Sequence, residues 1–166
     1  MQNGKIFTKK IAGRVDDLSS QFTQEEKSQI AIGHTRWSTH GKPTTENAHP
    51  HHVGNVSLVH NGIIENYKEL KEELLSQGCV FKSTTDTEVI AHFIAQELKK
   101  HTPCKVIEQV LAKFAGKYAV AFIIEGDKTI YAFRSSGSPM IIGVLDNGYT
   151  LASDFNTVSH HTNRFI

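Results

Sequence analysis

Apolar and polar positions switch from one period to another twice along the chain. Lys5 to Ile11 alternates in the manner of a strand, and Val15 to Phe22 has the spacing of a short helix. Gln29 to Gly33 and Val56 to Val59 are short apolar runs that predict strands, and each is followed at once by polar residues. A helical stripe then begins at Tyr67 and continues through Leu70, Leu74 and Leu75. Asn66 with Glu69 has the spacing of a capping box, and Gly78 supplies a stop. Thr85 with Glu88 makes a second such pair ahead of Val89, Ile90, Phe93, Ile94 and Leu98. Thr102-Pro103 opens a third helix, with Val106, Ile107, Val110, Leu111 and Phe114 on its buried face.

After Gly116 the period falls to two. Tyr118 to Ile124, Thr129 to Phe133, Met140 to Val144 and Tyr149 to Ala152 read as strands, separated by turn residues at 126–127, 136–139 and 147–148. Several of these runs are apolar on both faces and so need cover on both. The fold class that follows is α+β, with sheets stacked on each other and helices outside. One domain over residues 1–166 is expected, and a further strand is beginning at Asn163 where the sequence ends.

Composition adds mainly exclusions. Lys plus Arg number 18 against 17 for Asp plus Glu, which gives a formal charge of +1 and no electrostatic footprint for nucleic acid or an anionic membrane. MQNGKIFTKK lacks the apolar core of a signal peptide, and no run has the length of a membrane span, so a cytoplasmic location is expected. Two cysteines, Cys79 and Cys104, are too few for a disulfide framework and read as reduced thiols. Cys79 suits a small buried hydrophobe, and Cys104 stands near a helix start that can lower a thiol pKa.

The polar segments behind the first apolar runs carry the candidate chemistry. Gly33 to Gly41 reads GHTRWSTHG and Val59 to Asn66 reads VHNGIIEN. Arg36 offers a planar fork that matches a carboxylate; a surface arginine or a structural ion pair is the plain alternative. Trp37, the one tryptophan, suits a wall or lid over a ligand, or ordinary packing. Asn61-Gly62 is either a turn or an oxyanion hole built from a side-chain amide and a backbone N–H; the Ile63-Ile64 that follows fits a two-residue hairpin poorly. Asp86, within STTDTE at a helix start, either caps the helix or accepts from an ammonium group. His40, His49, His51 and His52 with Glu46 invite a metal reading, but they lack the spacing of zinc ligands and are expected to hydrogen-bond or pack as loop histidines, with no metal.

Taken in order, GHTRWSTHG, ENAHPH, VHNGIIEN and TDTEVIAH closely resemble the glutaminase domains of glutamine:fructose-6-phosphate aminotransferases, and the later GSP, ASD and TNRF segments continue the likeness. Amidophosphoribosyltransferases carry a similar loop, usually with tyrosine at the place of Trp37 and no histidine at that of His40. The resemblance implies an N-terminal-nucleophile hydrolase-like four-layer αββα sandwich. It implies that Arg36 binds the α-carboxylate of L-glutamine and Asp86 its α-amine. By the same likeness Trp37, Thr39 and His40 belong to a loop closing over glutamine, and Asn61 and the Gly62 N–H form the oxyanion hole. No cofactor is implied. The implied partners are sugar-phosphate isomerase domains that receive ammonia, in a homo-oligomeric enzyme.

The family's nucleophile is a cysteine at its mature start, and a YRGYDSAG-like stretch follows it; neither is found here. A partial domain without turnover of its own is therefore expected, with exposed strand edges that favour marginal folding or self-association. A non-catalytic amino-acid-binding or interaction module is the alternative from another class.

Overall fold

The computed structural model describes residues 1, 3–23, 28–36 and 42–166. Trp37, Thr39 and His40, expected in a loop over the ligand, lie outside the described residues.

A nine-residue strand, β2 (Val56–Ile64), organises the molecule. It pairs with β1 (His51–Val53) on one side and with β3 (Gly116–Ile124) on the other, and β3 pairs with β4 (Ile130–Arg134), all antiparallel. The resulting four-stranded sheet has the order β1-β2-β3-β4. Because side chains alternate across a strand, the register decides which residues share a face. Leu58 stands opposite Phe122, His60 opposite Val120 and Gly62 opposite Tyr118, and these even-numbered positions form the core face. Val59 opposite Ala121 and Asn61 opposite Ala119 make up the other face.

Three helices cover the core face: α2 (Tyr67–Ser76), α3 (Thr87–Glu97) and α4 (Pro103–Lys113). The central one, α3, buries Val89, Ile90, Ala91, Phe93, Ile94 and Ala95, while α4 seals the layer with Val106 and Val110. Burying each of the larger of these side chains contributes about 1.5–3 kcal/mol, which makes this layer the main source of stability. Beyond the opposite face lies a separate hairpin, β5 (Ile141–Leu145) with β6 (Gly148–Ala152), against which the short helix α5 (Phe155–Ser159) packs. The expected strand at the chain end is present in outline. Ile142 and Ile166 exchange peptide hydrogen bonds of 3.3 and 2.9 Å, and the Val144 N–H donates to Arg164 O. Near the other end, the short helix expected within Val15 to Phe22 spans Val15–Ser19 (α1).

Several expectations change. Lys5 to Ile11 is not a strand: only Lys5 forms an isolated bridge, and the segment is otherwise extended chain. Gln29 to Gly33 joins no ladder either; its apolar residues line a cleft instead. The run at Val56 to Val59 does not end before Asn61-Gly62 but continues through both to Ile64. Neither capping box forms. Asn66 instead bridges to the junction of α4 and β3, donating from Nδ2 to Lys113 O at 3.0 Å and accepting the Ala115 N–H at 2.9 Å. Glu88 turns back to the preceding loop and accepts the Lys82 N–H, the Ser83 N–H and the Ser83 hydroxyl at 2.8, 2.6 and 2.6 Å.

Candidate active site

The odd-numbered face of β2 and β3 forms the floor of a cleft of about 1400 Å³ that the hairpin β5–β6 bounds from the other side. Small side chains at Ala119 and Ala121 keep the floor low beside Val59 and Asn61. Arg36, Asn61, Gly62 and Asp86, four residues singled out from the sequence, all line this one space. They reach it from three different elements.

Asp86 stands immediately before α3, yet it makes no side-chain bond to its own helix. Its Oδ2 accepts the Ile64 N–H at 2.9 Å, tying the helix start to the end of β2. Asp86 as a residue is 4% exposed, so its charge is held against the cleft wall and is not a solvated surface group. This replaces the capping reading.

Gly62 has φ +112°, and an ideal Cβ there would lie 2.0 Å from Lys117 O and 2.8 Å from Tyr118 Cα. Glycine is thus required by the close approach of β3, independently of any ligand. Tyr118, the residue opposite, makes its hydrogen bonds on the other side: its N–H donates to Ser135 Oγ and its C=O accepts the Ser135 N–H. Adjacent antiparallel pairs alternate between bonded and unbonded, so Gly62–Tyr118 is an unbonded rung and the Gly62 N–H faces away from β3. Ile64, two residues on, turns its N–H the same way toward Asp86.

Arg36 also adopts positive φ, +42°, at the end of the apolar segment. Its peptide N–H donates to His34 Nδ1 at 2.8 Å, and its Nη1 donates to Lys42 O at 3.4 Å. Asn47 fixes that carbonyl, donating from Nδ2 to Lys42 O at 2.9 Å while its Oδ1 accepts the Thr84 N–H at 3.0 Å. Lys10 secures the same loop, donating to Ala48 O and Glu46 O at 3.0 and 3.2 Å. Neither Asn47 nor Lys10 was singled out from the sequence. Loop carbonyls create their roles, and the amino-acid string does not display where those carbonyls point.

The histidines form a layer beneath the cleft. His34 Nε2 lies 2.6 Å from Asn61 Oδ1, and its ring meets that of His49 edge-on at 4.3 Å. His49 Nε2 and His60 Nδ1 both reach Thr87 Oγ1, at 3.1 and 3.0 Å, and His51 Nε2 reaches Thr85 Oγ1 at 3.1 Å. Burial lowers the pKa of His49 to about 2, with further lowering from His34, His51, His60 and Arg36. Burial likewise takes His51 to about 4, helped by Lys10. Both rings are therefore neutral near pH 7. Among the described residues no group of three or more histidines, cysteines or carboxylates has a metal-binding arrangement.

Cys79 and Cys104 do not line the cleft. Cys79 is half-buried, accepts from Gln96 Nε2 at 3.0 Å and has its pKa raised by burial; Cys104 is exposed at the start of α4. Among the described residues no helix is long and apolar enough to cross a membrane.

Comparison with characterised proteins places this arrangement in context. The chain is 42% identical to the glutamine–fructose-6-phosphate aminotransferase (isomerizing) of Aquifex aeolicus over 169 residues, covering 100% of this chain and 28% of that protein. It is 44% identical to the enzyme of the same name from Pyrobaculum aerophilum, covering 97% of this chain and 27% of the relative. The chain thus spans little more than a quarter of the length of these relatives. Among solved structures, the glutamine phosphoribosylpyrophosphate amidotransferase of B. subtilis superposes with a TM-score of 0.66 at 28% identity, over 80% of this chain and 29% of that one. The α+β layers are accordingly those of N-terminal-nucleophile hydrolase amidotransferases. A family model described as a glutamine amidotransferase domain matches residues 34–160, a stretch that includes His34, Arg36, Asn61, Gly62 and Asp86. Sequence and fold agree, and the chain belongs to the glutamine amidotransferase domain family.

Proposed function

We propose that this chain is the glutamine-binding part of a glutamine:fructose-6-phosphate aminotransferase, working in the cytoplasm. The observation that carries this reading is the convergence of a guanidinium, a buried carboxylate and an amide on one cleft. Arg36 holds the α-carboxylate of L-glutamine through paired charge-assisted hydrogen bonds, and Asp86 holds the α-ammonium with the oxygen that Ile64 leaves free. Gripped at both ends of its backbone, the substrate extends its side chain along β2 toward Asn61. There the Asn61 amide and the Gly62 N–H stabilise the negative oxygen that develops when the carboxamide carbon becomes tetrahedral. Trp37, Thr39 and His40 close over the bound amino acid.

The attacking thiol is supplied by neither Cys79 nor Cys104, since both lie away from the cleft. The chain alone therefore binds glutamine without turning it over at an amidotransferase rate, because electrostatic stabilisation without a nucleophile leaves only residual catalysis. Ammonia released in the complete enzyme passes to sugar-phosphate isomerase domains within a homo-oligomer. Calorimetric titration with L-glutamine tests this directly. Saturable binding that Arg36→Ala abolishes is the expected result; absence of binding by the unaltered chain would leave an amino-acid site without support.

A further inference from the structure

We infer that His34 is a positioning residue that sets the direction of the Asn61 amide and, with the other nitrogen of the same ring, the backbone of Arg36. The inference rests on the proposed oxyanion role of Asn61 and goes beyond it.

The Arg36 N–H points at His34 Nδ1 from 2.8 Å, and a peptide N–H can only donate, so Nδ1 carries no proton. Burial lowers the pKa of this imidazole; the Asn61 hydrogen bond pulls it upward and Arg36 lowers it again, and the net lowering favours the neutral ring. A neutral ring without a proton on Nδ1 carries it on Nε2. Nε2–H then donates across 2.6 Å to Asn61 Oδ1. The opposite orientation of the amide would set an NH2 group against that N–H, donor against donor. Asn61 is thereby fixed with its carbonyl oxygen toward His34 and its two amide protons toward the cleft, the orientation an oxyanion requires. Among the described residues no partner takes up those protons.

Nor is the ring free to turn. The His34 and His49 rings meet with centroids 4.3 Å apart and planes at 71°, and His49 is anchored through Nε2 to Thr87 Oγ1 at 3.1 Å. Thr87 opens α3, one residue after Asp86. The start of a single helix thus carries the carboxylate for the ammonium and, through His49 and His34, supports both the amide and the arginine loop. A positive-φ backbone at Arg36 needs such a support, because non-glycine residues adopt that conformation at a cost.

Two substitutions separate the roles of the two nitrogens. Asparagine carries its oxygen near the place of Nδ1, so His34→Asn keeps an acceptor for Arg36 but loses the donor to Asn61. Glutamine carries its NH2 near the place of Nε2, so His34→Gln does the reverse. The probes are L-glutamine and L-methionine sulfone, whose tetrahedral sulfonyl sulfur stands where the carboxamide carbon would be and whose oxygen models the oxyanion. We expect the ratio of sulfone to glutamine affinity to fall roughly tenfold in His34→Asn and in Asn61→Ala alike, with no further fall when both are changed. His34→Gln is expected to retain the ratio while weakening both ligands together.

Long-range proton–nitrogen NMR correlation of the unaltered protein should show His34 with its proton on Nε2; a proton on Nδ1 overturns the inference whatever the ligands do. If Asn61→Ala lowers the ratio and His34→Asn does not, the inference alone fails. If Asn61→Ala leaves the ratio unchanged, the oxyanion reading fails first and takes the inference with it.

Discussion

At the scale of single residues, Gly62 separates structural necessity from function. Its place next to Asn61 invites a purely catalytic explanation, yet a methyl group there would penetrate the Lys117 carbonyl at 2.0 Å. Gly62→Ala is therefore expected to destabilise the fold by about 3 kcal/mol or more, through steric conflict and an unfavourable φ together. Urea unfolding measures this; a loss under about 1 kcal/mol would mean that β2 and β3 separate easily at this rung. Asp86 shows the reverse case. A carboxylate before a helix reads as a cap, but this one leaves its helix to meet β2, and that displacement holds it at the cleft. Periodicity cannot announce such a choice, because it depends on where another strand runs.

Among the elements, the start of α3 depends on Glu88. Burial would raise its pKa, but the His92 ring 3.7 Å away and hydrogen bonds from the Ser83 hydroxyl and the peptide N–H groups of Lys82 and Ser83 hold it at about 2 against an ordinary 4.5. The sign follows from which state takes up the proton. As pH falls, the unfolded chain protonates Glu88 first, so its stabilisation is complete above about pH 4.5 and is lost progressively toward about pH 2. Glu88→Gln should lower stability at neutral pH, since one amide oxygen cannot serve three donors, and should flatten the decline over that window. His49 and His51 also contribute to acid lability, so the difference between the two proteins is the quantity to measure; parallel pH profiles would remove Glu88 from the account.

The helices were legible from sequence because their apolar stripes are long and regular: Val106 and Val110 of α4 are buried as the stripe requires, although Leu111, expected on the same face, is 44% exposed. The four strands after Gly116 were equally legible, with bounds shifted by one or two residues. Lys5 to Ile11 and Gln29 to Gly33 misled because alternation shows that a segment has two faces, not that a neighbour pairs with it. Within the cleft, Arg36, Asn61, Gly62 and Asp86 were marked by residue chemistry, and the resemblance to glutaminase domains joined them into one site. His34 escaped notice because its part depends on which nitrogen bears the proton.

For the molecule as a whole, stability is unevenly distributed. The four-stranded sheet packs its core face on three helices, whereas β5–β6 is a two-stranded ladder with one five-residue helix and mostly half-buried side chains. Two-stranded units are marginal unless packed on something larger. Amide hydrogen exchange should therefore be faster in Ile141–Leu145 and Gly148–Ala152 than at the centre of β2 and β3. Equal protection in both would show that the hairpin and the main sheet open as one unit. This difference matters for the proposed function, since the cleft is bounded by a firm wall on one side and a softer one on the other.

Whether Arg36 and Asp86 grip opposite ends of one free amino acid is decided by pairing each residue with the ligand group it recognises. Calorimetry with L-glutamine, with glutaramic acid, which lacks the α-amine, and with 4-aminobutanamide, which lacks the α-carboxylate, is run on the unaltered chain, on Arg36→Ala and on Asp86→Asn. The asparagine keeps an acceptor for the Ile64 N–H, so the exchange removes charge and leaves the tie to β2. Arg36→Ala should weaken glutamine and glutaramic acid while leaving 4-aminobutanamide unchanged, and Asp86→Asn should weaken glutamine and 4-aminobutanamide while leaving glutaramic acid unchanged. Losses that ignore which end of the ligand is missing would show that the two residues do not divide the amino acid between them.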